Sequence, residues 1–461
     1  MRCISVVLAG VCSVSVAHAQ THWQGIGLPG NFAEVLQVYT DTTNDALYFC
    51  GVGTAIPYNG FSGNPLFKMQ NGQWDTLAVF GNQLNAVIVW HDTLIVGGGF
   101  PYVNGSSIEN IAAYDGQTWL GYGLLPWLGG GVTKFKVLDD ELYAIGTFDY
   151  IDGHLCNGIA KRVGGQWVSV GPIITTSSHN VADLTMYNGQ LVACGGISFS
   201  GNPYRNIVIQ NPDSSWSPVG PEGLIGNFSY GRCVTVYQGD LYVGGSIPVL
   251  AGNAGHGIMR WDGNQWHAVG GGLTYSPNNY SILTGAIDFL ERDGLLFVAG
   301  SFNYANGDLP ATGVATWDGS QWCGLGGTLD GPVNSIAFYH DTLYAACFHN
   351  ADGIDVNCAA KFIGSNYADT CGVPVGLAEQ PETNNQILLW PNPASEFVTV
   401  SGPVGNGRMD VFDGTGRLVL SWPYASGWSG PVKGLQPGIY ELVLRLEGQA
   451  AMRRQRLLVQ E

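Results

Sequence analysis

Read from its apolar positions, the chain is a series of short alternating runs broken by Gly, Asp and Asn. In the unit around residue 240, CVTVYQ alternates, Gly239-Asp240 turns it, LYVGGSI follows, and GIMRWD leads through Gly263-Asn264 into QWHAVG. Alternation with a period of two predicts half-buried strands, and two-residue Gly/Asp/Asn breaks predict tight hairpins. The unit is therefore expected to be a four-stranded meander. It recurs along the chain. Trp stands at 23, 74, 119, 167, 216, 266 and 322. A second signature keeps the same register: LYFCG from Leu47, LIVGGGF from Leu94, LYAIGTF from Leu142, LVACGGI from Leu191, LYVGGSI from Leu241, LFVAGSF from Leu296 and LYAACF from Leu343. One small meander cannot shield both of its faces, whereas seven standing side by side can. The expectation is an all-β chain: a seven-bladed β-propeller over residues 20–371, then a linker at 372–386 and a small β-sandwich at 387–461.

Closure of the ring is predicted as well. HWQGIG at 22–27 precedes the first full meander, while the last unit ends at NCAAKF, with Tyr367 where a Trp would stand. The segment Thr21 to Gly27 is expected to pair with 358–363 as the outermost strand of the last unit, which leaves no open edge. The repeated Trp is read as packing between adjacent blades, and the Gly pairs as sites of close strand approach.

Composition supports the all-β reading: 68 Gly and 14 Trp with 21 Tyr, but only 11% charged residues. Long exposed helices need more Lys and Glu than this. The formal charge is −17, and the first 386 residues hold 29 acidic against 11 basic side chains. Such a surface repels phosphate backbones and anionic lipid, which argues against nucleic-acid or non-specific membrane binding. The start, MRCISVVLAGVCSVSVAHAQ, has one Arg, an apolar stretch and Ala17-His18-Ala19 before Gln20, the pattern of a secretory signal over 1–19. Val11 stands where a lipoprotein signal ending at Cys12 needs a small residue, so soluble export is favoured. No other apolar run is long enough to span a bilayer.

Export makes disulfides permissible. Cys347 and Cys358 lie symmetrically about Asp352-Gly353 and could face each other across a hairpin, and Cys323 with Cys371 is a second candidate bridge. Cys50 and Cys194 hold equivalent places in units that are not neighbours, and are expected to be buried free thiols.

The paired glycines at Gly97-Gly98-Gly99, Gly195-Gly196 and Gly244-Gly245, with the later aromatic-then-Trp element, make residues 33 to 363 resemble kelch-like propellers. Ala299, Ile145 and Ala346 depart from that pattern. At the C-terminus, Pro391-Asn392-Pro393 follows an apolar strand. VFDGTGRLV (with Gly414 and Gly416) and LQPGIYELVL (with Pro437, Gly438 and Tyr440) come next, then a basic stretch before the final apolar residues. This block resembles the C-terminal sorting domain of type IX secretion cargo. The resemblance implies passage across the outer membrane of a Gram-negative bacterium, contact of residues 387–461 with the secretion machinery, and removal by its sortase. Release or attachment to the outer cell surface would follow.

No G-x-S-x-G, H-E-x-x-H, C-x-x-C or P-loop is present. Neither a cofactor nor a metal site is expected. His91 and His340 precede Asp92 and Asp341 in equivalent turns, and their recurrence points to turn chemistry. The loops between second and third strands, and between blades, are longer and more varied, which suits a binding surface on a rigid scaffold. They carry Tyr102, Tyr150, His154, Tyr204, Arg205, His256, Tyr275, Tyr280, Tyr304 and His349 as candidate ligand-binding residues. Asn104, Asp152, Asn306 and Asp352, each before a Gly, read first as turn formers. Three functions stay open: a non-catalytic binding or adhesion module for glycan or protein; a secreted lyase, glycosidase or oxidase acting on extracellular polysaccharide; and a structural cell-envelope component. Two carboxylates or a His trio converging in the central channel would favour the enzyme.

Overall fold

The computed structural model describes residues 21–30, 32–125, 131–171, 180–197, 206–220, 224, 230–249, 252–276, 284–346, 348–364, 367 and 370–371. Nearer the C-terminus it describes residues 388–390, 392, 394–401, 406–413, 417–425, 428–446 and 452–460. The chain divides into two compact units, Met1–Val375 and Gly376–Glu461. Both are built from antiparallel strands, and no α-helix occurs among the described residues.

In the first unit seven meanders follow one another. Their first strands are Phe32–Asp41, Leu84–Trp90, Val132–Leu138, Asn180–Tyr187, Tyr230–Tyr237, Gly285–Arg292 and Ser335–Tyr339. Each pairs with a second strand across a tight turn. In the His91-Asp92, Asp139-Asp140 and His340-Asp341 turns both residues have positive φ, so the two histidines serve a left-handed hairpin turn. The second strands are buried on both faces; Leu47, Phe49, Ile95, Leu142, Val192, Leu241 and Leu343 all lie in the core. That explains why the LYxxG signature is continuously apolar where neighbouring strands alternate. Its closing glycine meets a steric demand. A Cβ on Gly51, Gly98, Gly146, Gly195, Gly245 or Gly300 would lie 2.0–2.3 Å from a carbonyl oxygen of the adjoining first strand. The departures from the Gly pair, at Ile145 and Ala299, fall on the residue before, where a side chain is accommodated.

The sheets are joined in cyclic order. Each first strand contacts the next, and that of the seventh sheet contacts that of the first. One apolar cluster fills each junction. Phe32, Val35, Phe49 and Phe67 of the first sheet pack with Ala337, Tyr339 and Ala346 of the seventh. The recurrent Trp belongs to these junctions. The indole Nε1 of Trp167, Trp216, Trp266 and Trp322 donates to Tyr122, Gly171, Val219 and Val269 carbonyls of the preceding sheet. The fourth place in the last sheet is filled by Trp23–Gly25, in register Trp23↔Phe362 and Gly25↔Ala360. Tyr367 packs its ring on Phe297, Phe338 and Phe362.

The Asx-Gly turns have a second role. Asn104, Asp152, Asn306 and Asp352 accept the Val79, Leu124, Gly271 and Thr328 N–H groups at 2.8–2.9 Å, each from the sheet before. Asp352 also takes the His22 and Trp23 N–H groups at 2.7 and 3.0 Å, which fastens the closing strand. Beyond the ring, Thr370–Cys371 adds a strand to the sixth sheet, and Cys371 is disulfide-bonded to its register partner Cys323. Cys50 and Cys194 are buried free thiols in the first and fourth sheets. Cys358 is buried, and Cys347, its candidate partner, lies outside the described residues.

In the second unit a three-stranded sheet (Leu388–Trp390, Phe397–Ser401, Ser429–Pro431) and a four-stranded one (Leu418–Tyr424, Gly407–Phe412, Gly438–Leu446, Met452–Val459) share one core. Val398, Val400, Met409, Leu442, Leu444 and Leu457 form its centre. Asn392 accepts the Leu458 N–H at 2.8 Å and so ties down the last strand. Tyr440 donates to the Gln436 carbonyl at 2.7 Å beside Pro437 and Gly438. Pro391, Pro393, Gly414 and Gly416 lie outside the described residues.

Because hydrogen bonds to a charged acceptor contribute about 1.5–3 kcal/mol each, Asp352→Ala is expected to cost roughly 3 kcal/mol in urea unfolding. Asn104→Ala, which breaks one clamp bond to the Val79 N–H and touches no closing strand, is expected to cost less. Equal losses would show that Asp352 does not hold the closing strand.

Candidate functional site

A cavity of about 1200 Å³ lies where the seven first strands meet, and every one of them contributes to its wall. One local feature fills that wall. The pairing of first and second strands slips by a residue at Leu36, Asn85, Thr133, Ala182, Arg232 and Ile287. A bulge re-aims the extra side chain, and all six of these residues line the cavity, as does Asn334 just before the seventh first strand. Arg232 is the one charged member of this ring. Among the described residues it has no ion-pair partner.

The residue after several of these bulges ties the sheets together. Gln37 accepts the Val87 N–H at 2.7 Å, Asp183 the Val234 N–H at 3.3 Å, and Asp288 the Ile336 N–H at 3.1 Å. Ser335 accepts the Val38 N–H at 3.1 Å and so repeats the bond across the junction of seventh and first sheets. First strands of neighbouring sheets share no ladder, so these side chains satisfy backbone groups that burial would otherwise leave unpaired.

Lys134 occupies the same position in the third sheet and converts the tie into an ionic cluster. Its ammonium lies 3.0 Å from Asp183 and 3.8 Å from Asp288, and Lys136 lies 3.2 Å from the other Asp183 oxygen. The two carboxylates respond differently. Burial disfavours the charged form of Asp183, but Lys134, Lys136 and the Leu184 N–H outweigh it, and its pKa is lowered. For Asp288 burial prevails over the more distant Lys134 and the Ile336 N–H, and its pKa is raised. Burial also opposes the charge on Lys134, yet Asp183 and Asp288 overcome it, and the ammonium is held above its ordinary value.

A carboxylate pair therefore shares Lys134 at the cavity wall, Asp288 lining the cavity and Asp183 buried behind it, with pKa values pushed apart. Its surroundings limit any acid–base role. Asp183 is 2% exposed and each of its oxygens accepts one backbone N–H and one lysine. Asp288, 18% exposed, has one oxygen on Phe289 N–H and the other on Ile336 N–H. Both are held by the inter-sheet ties.

The loop residues singled out in the sequence are distributed around the unit. Tyr150 and His154 are exposed on one short hairpin, with Tyr150↔Leu155 and Ile151↔His154 in register. Tyr275 is exposed, and Tyr304 is half-buried beside Thr274. Tyr102 donates to the Ser62 carbonyl, and His349 is exposed with its N–H on Asp330. His256 differs from the expectation of a loop-face ligand group: it is buried, and its carbonyl accepts the Leu273 N–H. Tyr204, Arg205 and Tyr280 lie outside the described residues. None of the described candidates lines the central cavity. His91 and His340 instead pair with Asp140 and Asp45 on the adjoining turns, at 3.2 and 2.6 Å. Among the described residues no three His, Cys, Asp or Glu side chains gather closely enough to hold a metal ion.

The cavity residues escaped sequence reasoning because attention fell on loops. A signal existed: VTKFKVL, VADLTMY and AIDFLER place Lys134 and Lys136, Asp183, and Asp288 inside strands that are apolar around them. A buried charge is costly unless it is partnered.

The cluster predicts an asymmetry between its acids. Asp183→Asn leaves Lys134 and Lys136 without their main counter-charge and is expected to cost about 3–5 kcal/mol, as for other broken buried pairs. Asp288→Asn keeps an acceptor for Ile336 and should change stability by less than about 1 kcal/mol. The lowered pKa of Asp183 contributes stability that is present above the ordinary carboxylate range and lost as pH falls from there through the lowered folded value. The acid limb of a stability-versus-pH curve should therefore flatten in Asp183→Asn. Equal losses for the two variants, or an unchanged acid limb, would contradict the assignment.

No family model matches the chain, and neither does any curated protein. Among solved structures it is similar to the extracellular domain of BT3049 from B. thetaiotaomicron (11% identity, TM-score 0.49, 96% of this chain and 58% of that one). It is also similar to the extracellular domain of BT4673 from the same organism (12%, TM-score 0.45, 96% and 58%). A third likeness is to PorZ, a surface component of the type-IX secretion system of Porphyromonas gingivalis (13%, TM-score 0.35, 93% and 66%). The chain spans less than two thirds of the length of each. At such identities and TM-scores these likenesses carry no argument about ligand or activity. No described helix is long and apolar enough to cross a membrane.

Proposed function

We propose that the chain is a secreted binding module: a seven-bladed β-propeller over residues 20–371, joined by a linker at 372–386 to a sorting sandwich at 387–461. Supporting the propeller are the cyclic contacts of the seven first strands and the closing pair of Trp23–Gly25 with Ala360–Phe362. The Ala17-His18-Ala19 site and the ordered motifs of the C-terminal block support export and delivery to the outer cell surface or the medium.

The observation that carries the binding reading is the cavity itself. Its wall is made of paired strands, and Asp288 is held there by an inter-sheet bond, so the wall offers fixed hydrogen-bonding groups. The loop tyrosines Tyr102, Tyr150, Tyr275 and Tyr304 extend the candidate surface toward a glycan or a protein. One observation favours the enzyme as a second reading: the opposed pKa shifts of Asp183 and Asp288.

A glycan and protein array probed with the purified propeller is expected to yield a ligand that is retained without chemical change. Turnover of a polysaccharide that disappears in Asp288→Asn would replace this reading with the enzyme, and an empty array would leave a structural envelope role. Mass spectrometry of the exported form should find its first residue at Gln20 and its end within 372–386. A product that still carries residues 387–461 would contradict removal of the sorting sandwich.

A further inference from the structure

We propose that the central cavity takes an acidic sugar, a small hydroxyl-bearing carboxylate whose carboxylate group pairs with Arg232. This rests on the binding reading above and names its ligand class. The wall gathers four cations within an acidic chain. Lys134, Lys136, Arg232 and Arg292 line the cavity against Asp288 and Glu291, within a protein of formal charge −17. Against so acidic a chain, a cation in the cavity is a local site for an anion.

The cations are not equivalent. Lys134 and Lys136 are neutralised by Asp183 and Asp288, and Arg292 pairs with Asp293 and Asp341. Arg232 is the cation left over among the described residues. It stands on a bulge, so its backbone is fixed at the axis by the pairing on either side, Gly231↔Gly245 and Cys233↔Gly244. A guanidinium in such a place presents a fork of donors that matches a carboxylate in two parallel bonds.

The neighbours of Arg232 suit hydroxyl groups. Asn85, Asn180 and Tyr230 stand in the first two residues of their strands, and Asn334 immediately before its own, so all share the end of the cavity that holds Arg232. Each is neutral; the Asn85 amide donates to the Val132 carbonyl and the Asn334 amide to Glu34 and the Val35 carbonyl, so in both it is the side-chain carbonyl oxygen that these bonds leave unused. Asn85 Oδ1 has no hydrogen-bond partner among the described residues. Tyr39, Phe135 and Phe338 add apolar wall from the inner parts of their strands. A volume of about 1200 Å³ holds a short oligosaccharide.

Isothermal titration of the full chain with an oligogalacturonate, the corresponding neutral oligogalactoside and inorganic sulfate tests this. The acidic sugar is expected to bind at least tenfold more tightly than either of the others, and to weaken as salt rises from about 50 to 500 mM, since screening shortens the reach of the charge. Arg232→Gln should lose tenfold or more. Arg260→Gln, which removes the same charge from a pair with Asp240 away from the cavity, should bind as before. Equal affinity for acidic and neutral sugars, sulfate binding as tight as the sugar, or full binding by a folded Arg232→Gln variant would overturn the proposal. A neutral array ligand unaffected by Arg232→Gln would sink this inference alone, whereas an array with no ligand would sink the binding reading beneath it.

Discussion

The first unit depends on sheets that cannot shield their own faces. The second strand of each meander is apolar on both sides, and it is dry only because a neighbouring sheet covers each face. With seven such sheets the condition holds for all of them only if the last covers the first. The cluster that joins Phe32, Phe49 and Phe67 to Ala337, Tyr339 and Ala346 meets that condition. The early strand Trp23–Gly25 completes it by pairing with chain more than 330 residues away. Such contacts carry a large loop-closure entropy and must be compensated by burial formed all at once.

Apolar packing alone would let neighbouring sheets slide, and polar groups fix their alignment at three depths. Near the axis Gln37, Asp183, Asp288 and Ser335 accept a backbone N–H from the next sheet. Further out the indoles of Trp167, Trp216, Trp266 and Trp322 donate to the sheet before. At the hairpins between second and third strands Asn104, Asp152, Asn306 and Asp352 clamp the end of the preceding sheet. Directional bonds of this sort set geometry where dispersion is indifferent to it. The same bulges that leave backbone groups needing these partners also turn Asn85, Arg232 and their equivalents toward the axis, so the scaffold and the candidate site have a common origin.

Much of the fold was legible in the chain because its causes are local. Alternation, Asx-Gly turns and the recurring Trp fix strand, hairpin and unit length, and the Gly at the end of LYxxG reflects contact within one hairpin. The candidate site was hardly legible. Tyr150 and Tyr275 look like ligand groups because loop tyrosines often are, yet nothing in the sequence says which of them face one another, and His256 turned out to be enclosed. Lys134, Asp183 and Asp288 stand about 50 residues or more apart. Read singly, each is only an odd charge in an apolar strand.

The sequence by itself therefore determined the repeating element, its turns, the partner strand that closes the last sheet, and the acidity of the outer surface, since each follows from neighbouring residues or from composition. Tertiary structure alone decided which side chains meet at the axis. Convergence there depends on the one-residue slips in strand pairing and on seven first strands brought together from across the chain. No periodicity records either of these, because a bulge is selected by the packing of the whole ring and not by the residue that occupies it.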